Sequence, residues 1–274
     1  MLASQQSGFR KDHSTDTVLA FLSDYLYKEM DQSRLIGVVF LDLKKAFDSV
    51  NHKLLLQKLS LYGIKGVELR LFTYYLYNRQ QKTIVKESES SWGTIGSGVP
   101  QGSILGPLLF TIMVNDLPSV TCKSQIMMYA DDTVLFYSTK HINELEIVLN
   151  EDLQHVNNWV QSNGLSVNPT KSQFMIFGTS QKLSTISEPL HLKLEQHELM
   201  QVNMYKYLGV YLDPVLNWKE HIQYASKKVG SRLALLSRLK RFLPLESVKL
   251  LANTLALPLF DYCSIAWSNC ANNT

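Results

Sequence analysis

Long apolar runs are missing from this sequence: no window of some 18 apolar residues occurs, and the N-terminus MLASQQSGFRKDHS has no apolar signal core. Membrane spanning and secretion are therefore unsupported, and a soluble chain is expected. Cysteine is scarce as well. Cys122, Cys263 and Cys270 are odd in number and do not sit at paired metal spacings with any of the seven histidines. This predicts a reduced, intracellular setting, cytoplasm and/or nucleus, rather than a disulfide scaffold or a zinc module. There is no internal repeat, low-complexity tract or flexible linker to divide the chain into modules. Net charge is small, +3 over 274 residues, but uneven. Between Lys219 and Lys249 eight Lys and Arg stand against Glu220 and Glu246, so a basic tail follows a mildly acidic body. Such a tail suits either a polyanion contact or a solvated helix face.

What the chain does have is apolar content for a real core, 45% hydrophobic residues, patterned as alternating helices and strands. Ser14 or Thr15 is placed to cap a helix carrying Val18, Leu22, Tyr25, Leu26 and Met30 on one face. RLIGVVFLDL (34–43) is apolar on both faces, as a central strand of a covered sheet requires. Helices are expected over 53–62 and 67–77, with polar strands either side of a turn at 87–91. GSGVPQGSILGPLLFTIMVNDLP is a glycine and proline loop opening into an apolar helix that Pro118 closes. QIMMYA and TVLFYS read as a β-hairpin with Asp131 and Asp132 at its turn. A long amphipathic helix is expected over 141–163, with Gly164 as its stop. Strands should follow in LSVN, SQFMIFG, LHLKLEQHELM and YKYLGVYLD, and helices again from Trp218. A soft boundary falls at 213–217, giving two lobes in contact, 1–213 and 214–274.

Asp131 and Asp132 pose the chemical question. Aspartate at a turn is usually turn chemistry, but two adjacent carboxylates between buried strands repel each other unless a cation lies between them. Asp42, at the end of the other central strand, supplies a third. Three aspartates on adjacent strand ends are the minimum for two hard divalent cations, which are oxygen-seeking and promote phosphoryl chemistry. The implied reaction class is nucleotidyl transfer.

YADD between apolar strands, LDLKKAFDSVNH upstream and GVPQGSILGPLLF between them resemble the palm motifs of a reverse transcriptase of the non-LTR (LINE-type, jockey-like) retrotransposons. The similarity continues in family order through QSGFRKDHSTDTVL, NGLSVNPTKSQFMIFG and YKYLGVYLD, from about Gln6 to Asp213. It implies an α+β right-hand polymerase palm, an antiparallel sheet backed by helices, with partial fingers and a helical C-terminal thumb. It further implies RNA-directed DNA polymerase activity with two Mg2+ ions (Mn2+ as a substitute), an RNA template, a DNA primer and deoxynucleoside triphosphates, with no membrane role. Oligomeric state is not implied.

On matching residues, Asp42, Asp131 and Asp132 resemble the metal-binding triad, and the carbonyl of Leu43 an additional metal ligand. Phe47 matches the aromatic gate under the sugar of the incoming nucleotide. Gln101 and Gly102 resemble the loop packed on nucleotide and template base, and Arg10 a nucleotide or template contact. Lys171 aligns with a proton donor to the leaving pyrophosphate. Tyr205, Leu208 and Gly209 resemble a primer grip, and Lys227, Lys228 and Arg232 sit where a thumb meets nucleic-acid backbone.

Two features depart from the family pattern. The basic fingers hairpin and the endonuclease of LINE-type proteins would lie upstream of Met1, so this sequence reads as part of a longer element, with the chemistry encoded and triphosphate capture weakened. The rival readings are a catalytically inactive fragment that binds RNA or protein, and an RNA-dependent RNA polymerase. The latter would place a polar 2′-hydroxyl reader at Phe47, next to Asp48.

Overall fold

The computed structural model describes residues 2–268; Cys270 lies outside them. The first helix, α1 (Thr15–Asp31), opens on Ser14, whose hydroxyl accepts the Thr17 amide while Thr17 reciprocates, a capping box. Strand β1 (Leu35–Leu41) is buried along its whole length. Helices α2 (His52–Leu61), α3 (Gly66–Leu76) and α4 (Leu105–Val114) precede the hairpin of β2 (Gln125–Tyr129) and β3 (Asp132–Thr139). Then come α5 (Ile142–Ser162), β4 (Gln173–Phe177), β5 (Met200–Gln201), the hairpin β6 (Tyr205–Tyr207) and β7 (Val210–Leu212), and helices α6 (Lys219–Leu239) and α7 (Leu245–Leu255).

Five strands form one sheet in the order β5, β4, β1, β3, β2. Central β1 runs antiparallel to both β3 and β4, in registers that pair Leu41 with Thr133 and Phe40 with Gln173. Because side chains alternate across a strand, β1 feeds two cores. Leu35, Val39 and Leu41 join residues of α2, α4 and α5 on one face. Ile36, Val38 and Phe40 meet α1, β6, β7, Trp218, Cys263 and Ala266 on the other. The sheet is thus covered on both sides, which is why β1 reads as an unbroken apolar run.

Several expectations need correction. The hairpin turn is Ala130–Asp131, and Asp132 is already the first paired residue of β3, opposite Tyr129. LSVN contributes one isolated bridge, Leu43 to Val167, instead of a strand. LHLKLEQHELM yields a ribbon, Lys193–Leu194 against His197–Glu198, and the short β5, because its alternation is interrupted by a turn with Glu195 at positive φ. A helical turn at Ser180–Leu183 was not expected. The polar strands near 87–91 turn one step earlier, with Ile84–Val85 paired to Ser88–Glu89.

The segment 213–217 is a tight turn. The Asp213 carboxylate accepts the amides of Val215, Asn217 and Trp218 at 3.1, 3.1 and 3.0 Å, and Trp218, wholly buried, donates its indole N–H to Tyr27 at 2.8 Å. One core therefore crosses the expected boundary. Trp218→Ala should destabilise the fold by about 3–5 kcal/mol, read as a lower midpoint in denaturant titration; an unchanged midpoint would uncouple the C-terminal helices from the palm.

Candidate active site

The ends of β1 and β3 bring the carboxylates together. Carrying the β1–β3 register one residue past Leu41 and Thr133 sets Asp42 opposite Asp132, with Asp131 next to it in the turn. Among the described residues none of the three makes an ion pair. Burial first, then the charges of Asp131 and Asp42, pushes the Asp132 carboxyl up to about 6, as expected for like charges gathered without a counter-cation. An all-oxygen donor set of this kind suits a hard divalent cation. Leu43 bridges Val167 through the flanking bonds from Lys44 N to Ser166 O (2.8 Å) and from Asn168 N to Asp42 O (2.7 Å). Its own N–H and C=O therefore face away from that ladder, towards the β3 side.

Phe47 stacks on Phe110 of α4 with ring centroids 4.4 Å apart and meets Phe9 edge-on at 6.3 Å. The loop bearing Gln101 and Gly102 is laced to this segment. Gly98 N bonds Val50 O and Val99 N bonds Phe47 O, each at 2.8 Å; Gln101 Nε2 donates to Asp48 Oδ1 at 3.0 Å and buried His52 Nε2 to Gly98 O at 2.7 Å. Gly98, at φ 89°, lies so close that a Cβ there would sit 2.7 Å from the Asp48 carbonyl. Ser103 does support α4: its hydroxyl accepts the Gly106 amide at 2.9 Å.

The β6–β7 hairpin closes the far side. Its turn residues Leu208 and Gly209 have φ 44° and 86°, the two positive values a type I′ turn needs, and Tyr262 donates its hydroxyl to Leu208 O at 2.9 Å. Tyr205 stacks flat on Phe40 at 3.8 Å. Burial and then the charges of Asp132 and Asp42 raise its phenol to about 12. Tyr207, buried with an unpartnered hydroxyl, is pushed up as well, by burial first and then by Asp132.

The other expected residues are more scattered. Lys171 is exposed in the turn following Asn168. Its neighbour Ser172, which sequence reasoning passed over, accepts the Asp42 amide at 3.1 Å. Arg10 is engaged within its own segment, Nη1 donating to Ala3 O and Gln6 O at 2.7 and 2.9 Å, which braces that segment. Lys227, Lys228 and Arg232 are exposed on α6. Lys228 lies over the Tyr224 ring at 4.5 Å, and Lys206 over the same ring at 4.7 Å. Cysteine and histidine do meet, contrary to their spacing: Cys122 Sγ is 3.6 Å from His155 Nδ1 near Asp152. There the Asp152 oxygens accept the amides of Cys122, Lys123 and Ser124, which orders the approach to β2.

Comparison with known proteins agrees with this arrangement. Residues 1–212 match the family model described as reverse transcriptase (RNA-dependent DNA polymerase). The chain is 32% identical over 246 residues to a probable RNA-directed DNA polymerase from transposon BS of Drosophila melanogaster, covering 85% of this chain and 26% of that protein. It is 30% identical to the RNA-directed DNA polymerase from mobile element jockey of the same organism, covering 85% and 25%. The chain thus spans about a quarter of the length of these relatives. Among solved structures, apo telomerase from Candida tropicalis superposes with a TM-score of 0.53 at 14% identity, over 98% of this chain and 48% of that one, which shows a shared right-hand polymerase fold. No helix among the described residues is long and apolar enough to cross a membrane. With its palm sheet, its three gathered carboxylates and this match over 212 residues, the chain belongs to the reverse transcriptase (RNA-dependent DNA polymerase) family.

Proposed function

We propose that this chain is the palm and thumb portion of a retrotransposon RNA-directed DNA polymerase, which extends a DNA primer with deoxynucleoside triphosphates on an RNA template. The observation that carries the reading is the set of Asp42, Asp131 and Asp132, gathered with no ion-pair partner among the described residues. Two Mg2+ ions, or Mn2+, held by these carboxylates and the Leu43 carbonyl would activate the primer hydroxyl and stabilise the leaving phosphate.

The remaining residues orient the reactants. Phe47 lies beneath the sugar, backed by Phe110. Gln101 and Gly102 face the base of the incoming nucleotide from the loop tied to Asp48. Tyr205, Leu208 and Gly209 hold the primer end, and Lys171 gives a proton to the departing pyrophosphate. Lys227, Lys228 and Arg232 contact phosphates without reading sequence. Against the RNA polymerase alternative, the Asp48 carboxylate is turned to Gln101 and an aromatic ring occupies the neighbouring position.

Primer extension on an RNA template tests the proposal: divalent-dependent addition of deoxynucleotides supports it, whereas RNA binding with no extension favours the inert binding fragment. Neutralising Lys227, Lys228 and Arg232 together should flatten the salt dependence of duplex binding by about 0.9 log unit per lost phosphate contact. An unaltered slope would return them to a solvated helix face.

A further inference from the structure

We infer that Gln6 is a positioning residue for the carboxylate-bearing turn, acting with Gly8 as a brace that fixes Ala130, the residue immediately before Asp131. Gln6 is wholly buried. Its side-chain amide engages both backbone groups of Ala130: Oε1 accepts Ala130 N at 3.0 Å and Nε2 donates to Ala130 O at 3.2 Å. The same Oε1 accepts Gly8 N at 2.7 Å. Beside it the backbone makes a single parallel bridge to β2, with Ser7 N on Met128 O and Met128 N on Gln5 O, each at 2.9 Å. A side-chain amide thus continues the ladder one step past the point where the backbone turns away.

Ala130 needs this support. It is the first residue of a two-residue hairpin turn and has φ 58°, a conformation that glycine adopts freely and alanine does not. Asp131, the other turn residue, is absent from the positive-φ set, the pattern of a type II′ turn. Without its ladder, such a turn relaxes and moves Asp131 relative to Asp132 and Asp42. Gly8 allows the approach: a Cβ there would sit 2.2 Å from Ala130 N, a collision with backbone that no rotamer relieves. The inference rests on the proposed metal role of the aspartates only for its consequence. The brace itself is a matter of geometry.

The test uses the whole chain and two readouts. Gln6→Met keeps the length and shape of the side chain but leaves the Ala130 amide and carbonyl and the Gly8 amide without partners. Gln6→Glu keeps an acceptor for the two amides and loses the donor. Amide hydrogen exchange over residues 127–133, with no metal present, should accelerate about tenfold or more in Gln6→Met, the equivalent of one buried hydrogen bond left unmade, and less in Gln6→Glu. Exchange in β4 should stay as in wild type, which separates a local loosening from general unfolding. Identical exchange of the turn in wild type and Gln6→Met overturns the brace. The second readout is Mn2+ titration followed by thermal midpoint, with Asp131→Asn as control. Gln6→Met should need several-fold more Mn2+ for the same shift. If Mn2+ shifts neither wild type nor Asp131→Asn, the metal reading fails while the exchange result still decides the brace. If it shifts wild type and Gln6→Met equally, Gln6 does not position the carboxylates. Should Gln6→Met fail to fold, Gly8→Ala, which pushes on Ala130 N without removing any hydrogen-bonding group, must accelerate the same amides, or the inference falls.

Discussion

Replacing Asp131 or Asp42 by asparagine should abolish divalent-dependent primer extension, by on the order of a thousandfold or more, while primer–template binding stays within a few fold. Each substitution removes a charge but almost no volume, so packing of the hairpin is preserved. The loss falls on the transition state because charge develops there on the phosphoryl oxygens, and with one carboxylate fewer the cation that would stabilise it is bound more weakly and placed less precisely. A readout independent of catalysis accompanies it. Mg2+ or Mn2+ that binds the folded chain must raise its thermal midpoint, by an amount that grows with cation concentration, and Asp131→Asn should forfeit most of that rise. In the absence of cation the sign reverses. Asp132 is crowded by Asp131 and Asp42 and its carboxyl is pushed up to about 6, so relieving one neighbouring charge should leave the metal-free protein no less stable than wild type, and more so at neutral pH, where Asp132 ionises. Full extension activity in either variant would remove these residues from the metal role.

The elements that carry the aspartates were legible because each rests on a local signal. β1 is apolar on both faces since two cores meet it, and the hairpin shows as two strand-forming runs around a short polar interruption. Asp42 could be joined to Asp131 and Asp132 only through the assumption that strand ends meet, which the β1–β3 register realises. The supports were not legible. Ser172 and His52 each act through one hydrogen bond, and Gln6 through two, to backbone groups far away in sequence, and nothing in a serine, histidine or glutamine of a linear chain marks such a partner. The hydrogen bonds of Arg10 were no more legible, since an arginine in a motif suggests a ligand and does not show that its Nη1 also meets nearby carbonyls. The soft boundary at 213–217 follows the change from strands to basic helices, and that change does not report how the two lobes meet, with Trp218 reaching back to Tyr27. The Cys122 and His155 pair escaped because α5 brings together residues 33 apart, a separation no metal-binding spacing would suggest.

Phe47→Val should raise ribonucleotide use relative to deoxyribonucleotide use by about 10- to 200-fold, as expected when one to three kcal/mol of steric discrimination is withdrawn. The geometry makes the ring a fixed wall. The chain leaves β1 at Leu41 and turns through Lys45 at φ 45°. It then sets the Phe47 ring against Phe110 at 4.4 Å, with the Phe9 edge at 6.3 Å. Backed by α4, the ring could not retreat from a 2′-hydroxyl without disturbing that stack, so exclusion by it would be steric and rigid. Valine keeps an apolar, branched contact with Phe110 and vacates the space beyond it. Alanine would open a larger cavity beside Phe110, at about 3–5 kcal/mol in stability, and is the poorer probe. Phe47→Tyr, which preserves the ring, should retain the wild-type preference. The measurement is the ratio of kcat/KM for the two sugar types on one RNA template, with unfolding monitored in parallel. Should Phe47→Val leave the ratio unchanged while Asp48→Ala shifts it, sugar reading belongs to the neighbouring carboxylate that Gln101 holds at 3.0 Å, and Phe47 is a core aromatic serving only to pack the loop against α4.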